Sequence, residues 1–211
     1  MIMATIRNSF LKGGTGSIAG MVIYTVEGKT YARSCPEQYH DRKSIAQLSQ
    51  RRRLILVMDF LKPFKELLKF TFPGEPGKRN GYFAAKSYNL KHGVKGEYPG
   101  IQIHKQKALL CHGPVPLPSS IVMAHHENGL LLEWDTIIAD SSGAPDDTLV
   151  VIAVLVYSHV SEYQFTGVKR QTGHYLWQPD LPLDGGGVNV WVAFRRSDQV
   201  MMSDSCFLGE Q

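Results

Sequence analysis

Residues 44–72 read SIAQLSQRRRLILVMDFLKPFKELLKFTF, the longest segment with a helical apolar period in the chain and also its most basic one. Leu54, Val57, Leu61, Phe64 and Leu68 recur at spacings of three and four, which lays them along one stripe of a helix that must be buried. Ser44 is placed to cap the first turn, and Gln47 stands where a capping-box partner reaches back. Pro63 has no N–H to offer the carbonyl of Asp59, so the spacing predicts two helical pieces, about 44–62 and 63–71. Arg51, Arg52 and Arg53 are consecutive and fan over an arc of about 200° at about 100° per residue. They cannot all be buried, and at least two must meet water, a carboxylate or a phosphate.

Working outward, Gly16 to Pro36 contains MVIYTV and KTYARS joined through Glu27-Gly28. Two β-branched, aromatic-rich runs around such a turn predict a hairpin at about 20–34, with Gly28 supplying positive φ. The preceding GGTGSIAG is not a phosphate loop. Gly14, Gly16 and Gly20 match neither GxGxxG nor GxxxxGK[ST], and no helical pattern follows them. Beyond the organising stretch, FPGEPGKRN is a turn cluster, and Asn80 can cap a second helix at about 80–92. In that helix Phe83, Ser87, Leu90 and Val94 are spaced to pack on the first, and Gly93 is placed for a left-handed stop. Residues 101–103 and 108–111 are short strand candidates. GPVPLP at 113–118 favours an extended linker, and the domain boundary is expected there.

From Ile121 the period changes to two. Seven runs, IVMAH, LLLEWD, TLVVIAVLVYS, EYQFTGVK, HYLWQP, VNVWVAFRR and VMMSDSCFL, follow in about ninety residues, the pattern of a small β-sandwich. Trp134 is the expected core plug. Leu149 to Val156 is apolar at every position, so both faces of that strand need cover. The helical half is the nearest candidate and a second copy of the chain the next. The expected fold class is therefore α+β: an N-terminal β-hairpin plus helical layer at 1–118, and a C-terminal seven-stranded antiparallel sandwich of fibronectin type III or immunoglobulin-like kind at 119–211.

The net charge of +4 conceals an asymmetry, with 19 Lys or Arg against 7 Asp or Glu in residues 1–118 and 4 against 12 thereafter. Opposite charge on two halves points to docking between them or to a basic face offered to an anionic partner. Arg51, Arg52, Arg53, Lys62, Lys65, Lys69, Lys78 and Arg79 form that candidate face, with Tyr82, Phe83 and Tyr88 nearby for stacking. Three widely spaced cysteines argue against a disulfide framework, and the longest apolar run is too short to span a bilayer, so the expected location is cytoplasmic with no membrane partner.

Gly16 to Gly20 (GSIAG), Tyr31 to Pro36 (YARSCP), Ala46-Gln47 with Gln50-Arg51, Tyr88-Asn89-Leu90, and Ser203-Asp204-Ser205 before Leu208-Gly209 occur in that order over nearly the whole chain. In them the protein resembles a family of small uncharacterised proteins of Bacteroidota with a Gly-rich N-terminal hairpin, a helical middle and a fibronectin-like or immunoglobulin-like sandwich. The resemblance implies that fold and a bacterial source, and it carries no activity.

Catalytic and metal constellations are sparse. Adjacent residues on a strand face opposite ways, so His125-His126 cannot supply two ligands, and Cys111-His112 is a sequence neighbour pair rather than a dyad. Asp146-Asp147 lie in a turn-like GAPDD, where solvated acids are expected. No cofactor and no metal are expected. The preferred expectation is a non-enzymatic structural or assembly protein acting through a protein partner or self-association. A nucleic-acid-binding accessory role for the Arg51 to Arg53 helix is the alternative, and a hydrolase with a site near Cys111 and His112 is the third.

Overall fold

The computed structural model describes residues 3–7, 11–35, 41–73, 80–138, 142–156, 158, 160–180 and 187–210. It divides into two compact units, Met1–Ser44 and Ile45–Gln211.

The first unit is a four-stranded antiparallel sheet of β1 (Met3–Ile6), β2 (Gly16–Ile18), β3 (Met21–Val26) and β4 (Lys29–Ser34), in the order β1-β4-β3-β2. The sequence-predicted hairpin is its centre. Glu27 and Gly28 have φ of 50° and 75°, the two left-handed residues that a tight primed turn needs. Two flanking strands were not anticipated, because runs of three and four residues carry too little alternation to register. The glycine-rich segment leads into β2 rather than a helix: Gly13 N–H donates to Thr30 Oγ1 at 2.8 Å, and Thr30 is buried beside Ile23 in the small core.

The second unit opens with α1 (Ile45–Leu61), a 3₁₀ turn over Lys62–Phe64, and α2 (Leu68–Thr71). Pro63 sits in the first positions of that turn and ends the α-helix as expected. Val57, Leu61, Phe64 and Leu68 are fully buried, whereas Leu54 is left at the surface. After it comes α3 (Gly81–His92), where Asn80 accepts from Phe83 N–H at 3.2 Å as the N-cap. Two details of α3 depart from the expected reading. Its buried face is Gly81, Ala85 and Asn89, a spacing of four, while Phe83 is half exposed. Gly93 has φ −88°, so it is not a left-handed stop; a Cβ there would stand 2.6 Å from Asn89 Oδ1, and close approach is what requires glycine.

Asn89 explains why residues 108–111 are buried without being a strand. Its Nδ2 donates to Ala85 O and Leu109 O, and its Oδ1 accepts from Leu109 N–H, at 2.9–3.0 Å. Thr71 Oγ1 donates to Leu110 O at 2.7 Å, and Leu110 N–H donates to Ser205 Oγ at 2.8 Å. Side chains thus satisfy a buried backbone that a ladder would otherwise have to satisfy. The only pairing in this region joins β5 (Val94–Lys95) to β6 (Gln102–Ile103) among the described residues.

Seven strands follow: β7 (Ile121–His126), β8 (Gly129–Trp134), β9 (Thr148–Leu155), β10 (Ser161–Lys169), β11 (His174–Trp177), β12 (Val188–Arg195) and β13 (Cys206–Glu210). They form one sheet in the order β11-β8-β7 and another in the order β10-β9-β12-β13, every pairing antiparallel. Leu130, Leu132, Trp134, Leu149, Val151, Val190, Val192 and Phe194 meet in one core with Trp177. The alternate residues Val150, Ile152, Trp191 and Ala193 point the other way and join Val57, Leu61, Phe64 and Leu68 in a second core. The outer face of β9 is therefore covered by the helices of the same unit. The protein is a mixed α+β structure built on several antiparallel sheets with few helices.

The 113–118 segment runs inside this unit. Val115 is buried and its N–H donates to Met202 O at 3.1 Å. The charge and periodicity change at residue 118, but the division into compact units falls between Ser44 and Ile45, and the helices share one core with the β10-β9-β12-β13 sheet.

Candidate functional site

The α1 helix presents Arg51 and Arg52 to solvent and leaves Arg53 half-buried; Lys62, Lys65 and Lys69 are exposed beyond it. Lys69 pairs with Glu66 at 2.7 Å, which holds that carboxyl below its usual range. Lys78 and Arg79 lie outside the described residues. The structure adds what sequence reasoning missed: Ile55 and Met58, four and seven positions after Arg51, are about half exposed. The solvent stripe thus carries two apolar residues between two cations, Arg51, Ile55, Met58 and Lys62.

Between α1 and the sheet lies a cleft of about 380 Å³ lined by Leu56, Asp59, Phe60, Val154, Asn189 and Trp191 among others. Lys105 Nζ at its edge donates to Asn189 Oδ1 at 2.7 Å, and Trp191 Nε1 donates to Lys105 O at 3.3 Å. This is a mostly apolar slot in which Lys105, Asn189 and the Trp191 N–H are engaged with one another.

A second pocket, of about 260 Å³, is lined by Phe72, Ser87, Tyr88, Lys91, His92 and His112, with Pro73 and Ala84. His112 Nδ1 stands 2.6 Å from Asp204 Oδ1, which also accepts from Gly113 N–H at 3.3 Å. The imidazole packs against both Phe72 and Tyr88, with ring centroids at 5.6 and 5.4 Å, and those two rings meet each other at 6.3 Å. Burial and the Asp204 charge push the Tyr88 hydroxyl upward, so it stays a donor. Cys111, next in sequence, takes no part. It is fully buried, its thiol pushed up to about 12 by desolvation, and a thiol that hardly ionises is no nucleophile.

His125 and His126 are both exposed at the end of β7. Among the described residues no three His, Cys, Asp or Glu side chains converge for a metal. The expectation of solvated acids at 146–147 is corrected by Asp147, which is wholly buried and 3.3 Å from the buried Arg170. Arg170 Nη2 also donates to Pro116 O at 2.6 Å and its guanidinium stacks 4.4 Å from the Phe194 ring centre. This pair ties the 113–118 segment to β12 and to the start of β9, and neither residue lines a pocket named above.

The family whose pattern matches residues 12–209 is described as a family of unknown function (DUF6266). The chain belongs to that family. Its extent takes in every motif from Gly16 to Gly209 that carried the resemblance, and it assigns no activity. No curated protein and no solved structure matches the chain. Among the described residues, no helix of this DUF6266 chain is long and apolar enough to cross a membrane.

Proposed function

We propose that this DUF6266 member is a non-enzymatic assembly protein that works by contact between copies of itself through the β10 edge. One observation carries this reading: Tyr163 and Phe165 are each 42% exposed on β10, in register with Ile152 and Val150, on the sheet face that the helices cover at its centre. Their rings pack edge to face at 6.2 Å, and Arg195 stacks on Phe165 at 4.9 Å. β10 is paired with β9 on one side and with no other strand among the described residues. Antiparallel self-pairing about Tyr163 sets Ser161 opposite Phe165 and Glu162 opposite Gln164, so no like charges oppose each other. A second copy would then continue the four-stranded sheet through a twofold contact.

The strand orders support reading the seven strands as a fibronectin type III-like sandwich, with the first, second and fifth facing the third, fourth, sixth and seventh. That architecture serves widely as an interaction module, which is an argument by analogy. The free cysteines Cys35, Cys111 and Cys206 favour a reducing, cytoplasmic location, and the sequence motifs favour a Bacteroidota source.

Light scattering across a concentration series tests the reading. A concentration-dependent dimer in the wild type, lost in Tyr163→Lys/Phe165→Lys, is the expected result; a wild-type chain that stays monomeric at the highest concentration overturns it.

The second reading is nucleic-acid binding by α1, favoured by the exposure of Arg51, Arg52, Lys62 and Lys65 on one helix and its continuation. It predicts binding to random single-stranded DNA that weakens steeply with salt and is reduced by Arg52→Glu. Binding that is absent at low salt eliminates it.

A further inference from the structure

We propose that the pocket between α3 and the His112–Asp204 pair binds a phosphate group carried by a small molecule. Lys91, His92, Ser87, Tyr88 and His112 line this space, and no carboxylate is among its lining residues. Asp204, outside that lining, is engaged through Oδ1 by His112 Nδ1 and Gly113 N–H. An ionised carboxylate can only accept, so Nδ1 carries the hydrogen and Nε2 is the ring's remaining polar atom.

That arrangement selects among anions. Lys91, Ser87 and Tyr88 supply donors to acceptor oxygens, and only Lys91 brings a fixed positive charge. Where Nε2 carries a hydrogen it donates to a phosphate oxygen, and where it does not it accepts the P–O–H that a phosphate monoester keeps until its second ionisation near pH 6. A carboxylate ionises completely well below that range and has no hydrogen to give. The imidazole is held in place on one side by the Phe72 and Tyr88 rings and at Nδ1 by Asp204. The pocket volume of about 260 Å³ leaves room beside the phosphate for a compact organic group against Phe72.

The structural alternative is that the His112–Asp204 pair merely fixes the backbone at 111–113 against residues 202–205. Ring-carbon NMR of the histidines, followed during titration with inorganic phosphate, glycerol phosphate and acetate, separates the two. The expected result is a saturable shift of the His112 and His92 signals with either phosphate and a much weaker one with acetate. A gain for glycerol phosphate over inorganic phosphate marks an ester as the ligand; the reverse marks the free ion. Lys91→Ala, at an exposed position, should weaken phosphate binding about tenfold, the scale of one charge-assisted hydrogen bond. Lys62→Ala, on the turn after α1, should leave it unchanged. No saturable shift of His112 in the intact chain, or equal weakening by Lys62→Ala, overturns the proposal.

Discussion

Asp147 and Arg170 show how much one residue pair can decide. Both are removed from water, and Asp147 Oδ2 accepts from Ala144 N–H at 2.9 Å while Trp134 Nε1 donates to Arg170 O at 2.7 Å. Asp147→Ala should strand the guanidinium in a dry site and destabilise the protein by about 3–5 kcal/mol in urea unfolding. Asp147→Leu/Arg170→Met removes both charges and should recover much of that loss, because the burial penalty of the ions disappears with them. Cys111 gives a pH test at the same scale. Its folded thiol titrates at about 12 against an ordinary value of 9.0. As pH rises past 9 the unfolded chain releases this proton while the folded one keeps it, so stability falls between pH 9 and 12. The alkaline fall in melting temperature should be shallower in Cys111→Ala, and an unchanged slope would refute the assignment.

At the scale of elements, the helical stripe was legible because the spacing of Val57, Leu61, Phe64 and Leu68 is itself the signature of a buried face. Leu54 shares the spacing but is exposed and lies outside the core cluster that holds the other four. Leu61→Ala should therefore destabilise by about 2–5 kcal/mol and Leu54→Ala by less than about 0.5 kcal/mol, measured in the same denaturant series. The face of α3 was misread for a related reason. Hydrophobic spacing favours Phe83 and Leu90; Leu90 does pack against the helical core, but Phe83 is half exposed, and the fully buried residues are Gly81, Ala85 and Asn89, which serve close approach and hydrogen bonds to Leu109. Small and polar residues carry no periodic signal, so a buried asparagine is invisible until its partners are placed. The β9 strand was the opposite case: unbroken apolar character announced two covered faces, and the structure names both covers.

On the scale of the molecule, the charge break at residue 118 and the contact break at residue 44 are different things. Charge reports what meets solvent, and a helical layer can be basic outside while its inner face belongs to the same core as an acidic sheet. Truncation tests this. A chain of residues 45–211 should keep a cooperative unfolding transition and near-ultraviolet dichroism. A chain of residues 119–211 should lose both, because Val150, Ile152 and Trp191 lose Val57, Leu61 and Phe64 as their cover. A well-folded 119–211 fragment would show the sandwich to be autonomous.

The sequence by itself determined the elements whose evidence is periodic: the two main helices, the kink at Pro63, the β3–β4 hairpin with its Glu27-Gly28 turn, and the positions of six of the seven later strands, the last beginning only at Cys206 within its expected run of 200–208. Period and turn chemistry are local properties, written within a dozen residues of one another. Only the tertiary structure decided the sheet orders, the cover over β9, the burial of Asp147 with Arg170, and the meeting of His112 with Asp204 across 92 positions. Those depend on which distant segments share a core, and a side chain's chemistry changes with the water that such neighbours exclude.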